Sequence, residues 1–150
     1  MDAATKARKL VLKAKQMVLQ DRTVEAIRAL EQSVQLDPEE GSAFEAWLLL
    51  GKLRMGNPAW STRSIDALQT ASRLHPKAAE PWAAMGEVYF RKGFKTNAVA
   101  CFQRALELDP SVPIPPDVDF REESPRPQPQ TQGGSLFGRF KSMLGRTEKP

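Results

Sequence analysis

Apolar and small residues return along this chain every three to four positions, in short stretches separated by polar breaks. Leu10, Ala14 and Met17 form one such stripe and Ala26, Leu30 and Ser33 the next. Trp47, Leu50 and Gly51 follow, then Ser64, Leu68 and Ala71. A period near 3.6 residues marks one face of a helix, whereas a half-buried strand would alternate every second residue. The pattern predicts six helices, over 3–20, 23–36, 42–55, 61–74, 79–92 and 95–108. The second, fourth and sixth each end at Leu-x-Pro, at Pro38, Pro76 and Pro110. Proline forces the residue before it out of the α region, so each is a stop.

The six helices group into three pairs, because the stretch from Glu25 to Pro38 closely parallels that from Asn97 to Pro110. Repetition at this period is the signature of a stacked helical array, in which one unit cannot bury its own apolar face. Gly51 and Gly86 are expected where two helices cross. There the missing Cβ outweighs the roughly 1 kcal/mol that glycine costs inside a helix. Ala26 and Ala98 would be small for the same reason on the opposing helix, with Trp82, Tyr89 and Phe102 filling the space around them.

The third pair carries the pattern most fully. Trp82, Met85-Gly86 and Tyr89, then Ala98, Phe102 and Pro110, stand at the spacing of the tetratricopeptide repeat, which this segment resembles. Met85 replaces the usual leucine, a swap that conserves volume. The second pair departs further, with Arg54 where the tyrosine belongs and a turn, Met55-Gly56-Asn57-Pro58-Ala59, one residue longer. The first pair has Lys13 at an apolar position, in keeping with the atypical character of terminal repeats. The resemblance implies an all-α fold of three stacked helix–turn–helix units forming a short right-handed solenoid. These would span about 5–38, 39–76 and 77–110 within a domain covering 1–110.

In proteins of this family the first helix of each repeat lines a concave groove that takes an extended peptide or a helix. Carried onto this chain, the groove positions are Arg8, Val11, Lys15 and Val18 in the first repeat. They are Glu45, Leu48, Lys52 and Met55 in the second, and Glu80, Ala83, Glu87, Phe90 and Arg91 in the third. The expected surface has apolar patches at Leu48, Met55 and Phe90 flanked by both signs of charge, suited to an amphipathic ligand. One subtype clamps the C-terminal carboxylate of chaperone tails with a Lys/Asn/Arg set. Its first-repeat lysine and asparagine would fall at Val11 and Lys15, so that motif is absent.

Composition changes the picture at the C-terminal end. Seven of twelve prolines follow Val112, and 111–134 reads as a flexible polyproline linker. Beyond Gly133-Gly134, Ser135 is a good N-cap. Leu136, Phe137, Phe140, Met143 and Leu144 then fall on one helical face, opposite Arg139, Lys141 and Arg146. The segment 135–150 is thus expected to be a short basic amphipathic helix in a largely disordered extension. It would dock on protein or on an anionic membrane. Two readings follow. One is a scaffold or adaptor that binds a protein or peptide ligand in its groove. The other is a peripheral membrane-associated assembly factor anchored by the tail. Self-association through an uncapped third repeat is a further expectation.

The net charge of +4 is spread along the body without a basic, aromatic-interleaved patch, which argues against nucleic acid. One cysteine, Cys101, excludes an internal disulfide. No signal-peptide core or membrane-spanning run appears, and a cytoplasmic location is expected. His75, the single histidine, has no partner set for a zinc site and is expected to serve at a helix end. With no phosphate loop, dinucleotide glycine motif or nucleophile elbow, neither enzyme activity nor a cofactor or metal is expected.

Overall fold

A computed structural model describes residues 1–120. Six α-helices are present among them: α1 Ala3–Leu19, α2 Thr23–Leu36, α3 Ala43–Arg54, α4 Ser61–Leu74, α5 Glu80–Lys92 and α6 Lys95–Leu108. Every predicted helix is present with its ends within one residue. The long turn of the second pair contains an additional element, a 3₁₀ turn at Pro58–Trp60. Asn57 caps it by accepting from the Ala59 N–H at 3.0 Å. The tail residues Leu136, Phe137, Phe140, Met143 and Leu144 lie outside the described residues.

Local chemistry sets the ends. Asp2 caps α1 by accepting from the Thr5 N–H at 2.8 Å. Gly93 closes α5 in the left-handed conformation, φ 82°, where a side chain would be strained. Trp47 on α3 donates its indole N–H to the Pro38 carbonyl at 2.9 Å, tying each end of the connection between the first two repeats together.

Consecutive helices pack as three hairpins, α1 on α2, α3 on α4 and α5 on α6, and each hairpin stacks on the next through α2–α3 and α4–α5. The first helices also touch one another directly, α1 with α3 and α3 with α5, more than the second helices do. A stack whose first helices approach while its second helices spread must curve, with α1, α3 and α5 on the concave side.

The glycine crossings are as expected. A Cβ on Gly51 would come within 2.5 Å of Leu68, and one on Gly86 within 2.6 Å of the Phe102 ring. Ala14 takes the corresponding place in the first repeat and is fully buried. Two buried serines tie helices together inside hairpins. Ser33 donates to the Ala7 carbonyl at 2.9 Å and Ser64 to the Gly51 carbonyl at 2.6 Å.

The compact unit extends past Pro110 to Val118. Val112 is buried, and with Ile114 it packs into a cluster with Ala79, Trp82 and Ala105. Prolines end a helix, but an extended chain can still lay apolar side chains on its neighbour. Consequently α6 is not left bare, and the large exposed hydrophobics within the helices are Leu12, Leu19, Val24 and Leu36, with Phe94 exposed at the N-terminal cap of α6.

Candidate functional site

The concave face carries a row of charge pairs built by successive first helices. Lys15 of α1 pairs with Glu45 of α3. Lys52, seven residues further along α3, reaches Glu80 at the start of α5 at 3.4 Å. Arg91 pairs with Glu87 one turn earlier on α5 at 2.8 Å, and its other nitrogen reaches the Met55 carbonyl at 3.5 Å. These side chains are all close to half-exposed. Exposed pairs of this kind contribute at most about 1 kcal/mol each to stability, so they leave their charges available to a ligand.

Positions predicted for the groove divide by burial. Arg8, Lys15, Lys52, Glu80 and Arg91 are exposed, and Val18, Glu45, Ala83, Glu87 and Phe90 are partly exposed. Val11, Leu48 and Met55 are core residues instead, at 1%, 8% and 9% exposure. Val11 lies four residues after Ala7 and three before Ala14, both fully buried, which puts it on the inner stripe of α1. Leu48 lies on α3, which Met55 caps at its C-terminal end and which is apolar on nearly every side. Such a helix is buried all round, and α3 does contact α1, α2, α4 and α5. Its second stripe, Phe44, Leu48 and Met55, joins Ala84, Met85 and Val88 of α5. The concave surface is therefore more polar than expected, with Phe90 and Val18 as its apolar contacts.

His75 closes α4 as expected and does something the pattern did not indicate. Its ring stacks on Phe44, 4.1 Å between centroids and 12° from parallel. Cys101 is buried, and desolvation pushes its thiol up to about 12. The neutral thiol is thus a core hydrophobe, with no nucleophilic character near neutrality. Among the described residues no group of three His, Cys, Asp or Glu could hold a metal ion. No helix among them is long and apolar enough to cross a membrane.

The opposite side of the stack holds a feature that repeat-position mapping missed. Between α2 and α4 lies an open cleft of about 240 Å³, lined by Val24, Ile27, Arg28, Glu31, Arg54, Trp60 and Arg63. The signal for it was present in the two departures of the second repeat: arginine for tyrosine at Arg54, and the longer turn that delivers Trp60.

Comparison with known proteins agrees with this architecture. Residues 79–112 match the family model of the tetratricopeptide repeat. Cellulose synthase operon protein C of Escherichia coli strain K12 is 31% identical over 110 residues, spanning 64% of this chain and 9% of that protein. Tetratricopeptide repeat protein 5 of Bos taurus is 32% identical over 87 residues, 58% of this chain and 20% of that one. The chain thus spans a fifth or less of the length of these relatives. Among solved structures, the Arabidopsis OM64 tetratricopeptide domain superposes with a TM-score of 0.67 at 12% identity, covering 73% of this chain and 88% of that one. The first such domain of Spaghetti (RPAP3), bound to the HSP90 peptide SRMEEVD, gives 0.65 at 19% identity, covering 75% and 87%.

Proposed function

We propose that the protein is an interaction scaffold whose concave face binds a peptide or helix, from the premise that residues 79–112 match the tetratricopeptide repeat and form the last of three stacked helical hairpins. The observation that carries this is the charge row Lys15–Glu45, Lys52–Glu80 and Glu87–Arg91, with half-buried Phe90 beside its last pair. A ligand laid across α1, α3 and α5 can exchange these pairs for its own. Its acidic groups take Lys15, Lys52 and Arg91, and its basic groups take the three glutamates. That exchange costs little where the pairs are half-solvated. The fit is to a segment bearing both signs of charge and an apolar residue for Phe90.

The Spaghetti (RPAP3) domain holds an HSP90 peptide, and a peptide ligand for this chain is in keeping with that neighbour. A chaperone C-terminal tail is disfavoured here, because Val11 is in the core and Lys15 is paired. The test is affinity capture with the full chain and with a Lys52→Glu/Arg91→Glu variant, checked for unchanged circular dichroism. The variant is expected to lose at least one partner held by the wild type. Retention of every partner at wild-type level contradicts the groove assignment.

A further inference from the structure

The cleft between α2 and α4 is built from residues that the concave site does not use. Arg54, at the end of α3, is only 11% exposed. It donates through Nη1 to the Arg63 carbonyl and through Nη2 to Glu31 Oε2, each at 3.2 Å. Arg63 reaches the same Glu31 oxygen at 3.5 Å, and Arg28 lines the cleft beside them. The two guanidiniums of Arg54 and Arg63 on one carboxylate leave one net positive charge. The Arg54 Nε–H is buried and has no hydrogen-bond partner among the described residues. A buried donor without an acceptor is costly to leave so, and charged donors most of all. The other wall is apolar: Val24 is 58% exposed at the mouth, Ile27 is buried, and Trp60 stands on the 3₁₀ turn.

We propose that this cleft is a second binding site, which takes the carboxylate of an acidic residue in a partner peptide together with the apolar side chain next to it. Guanidinium donors recognise carboxylates in a planar, two-pronged geometry. Arg63 is more than half exposed and can turn to a ligand, while Arg54 is held by its packing as the fixed partner. The apolar wall selects a peptide over a bare anion, since only the former covers Trp60 and Val24. In the third repeat the position of Arg54 is filled by Tyr89 and the turn is a residue shorter. Both departures of the second repeat therefore converge on this one cleft.

The probe is a blocked tetrapeptide alternating glutamate with leucine and phenylalanine, titrated into the ¹⁵N-labelled full chain. Saturable shifts of the Trp60 indole N–H and the Arg54 Nε–H are expected. The dissociation constant should weaken about tenfold in Arg63→Gln, in Arg54→Tyr and with the glutamine version of the peptide. Arg63→Gln alters an exposed side chain and keeps the test independent of folding. Three results would overturn the proposal. One is shifts confined to Lys15, Lys52 and Phe90 while Trp60 stays still. Another is unchanged affinity in Arg63→Gln. The third is an identical Trp60 response to inorganic phosphate alone, which would mean that the apolar wall is idle.

Discussion

A β-carbon at Gly86 would sit 2.6 to 2.9 Å from three atoms of the Phe102 ring, and Phe102 is itself 1% exposed. The ring has nowhere to move. Gly86→Leu is therefore expected to destabilise by about 1–3 kcal/mol or more through overpacking, a large part of a small domain's roughly 5–15 kcal/mol. A thermal melt unchanged from wild type would refute this helix register. Such positions were legible in the sequence, because a glycine kept inside a helix and a proline at its end answer backbone demands that few other residues meet. Val11, Leu48 and Met55 were less so. The repeat pattern assigns them to a face, while burial depends on how much of that face the neighbouring hairpin covers. Cys101 gives a second prediction at this scale. Its thiol is raised from 9.0 to about 12 by burial, and burial likewise raises the Tyr89 hydroxyl. For Cys101, above pH 9 the unfolded chain loses a proton that the folded chain keeps. Stability is therefore full below about pH 9 and falls as pH rises towards 12, by at most about 1.4 kcal/mol per pH unit from this group. Urea melts at pH 8 and 10.5 measure the loss. Cys101 should also resist 5,5′-dithiobis(2-nitrobenzoate) in the folded chain at pH 8 and react on unfolding.

At the scale of elements, the helix ends follow from caps and prolines that act over one or two turns, which is why they could be read locally. The segment after Pro110 could not. Its proline content describes backbone conformation and is silent on whether Val112 and Ile114 find a surface to cover. Here they pack with Ala79, Trp82 and Ala105 and close the end of the stack, as a terminal repeat requires. Val112→Ala removes two buried carbons and is expected to cost about 1.5 kcal/mol at roughly 0.8 kcal/mol per methylene. That is a drop of several degrees in Tm for a domain of this size. A Tm equal to wild type would mean that 111–118 does not cap α5 and α6. The 3₁₀ turn at Pro58–Trp60 is the other element that local reading passed over. One extra residue was visible, but its outcome, Trp60 carried to the side of α2, depends on the packing of two hairpins.

At the scale of the whole molecule, curvature gives the stack two faces of different character. Where first helices converge, charges from neighbouring repeats meet and form the row from Lys15 to Arg91. Where second helices spread, a cleft opens that Arg28 lines and in which Arg54 and Arg63 pair with Glu31. The first surface was foreseeable from repeat positions, although not its pairing, which arises only when α1, α3 and α5 lie side by side. The concave face is the proposed place where a partner binds. The most direct measurement selects peptides from a random display library against the full chain, then titrates the tightest into ¹⁵N-labelled protein. Shifted amides are expected to cluster at Lys15, Glu45, Lys52, Glu80, Glu87, Phe90 and Arg91, on three successive first helices. Shifts gathered on α2, α4 and α6, with those seven positions unmoved, would contradict it.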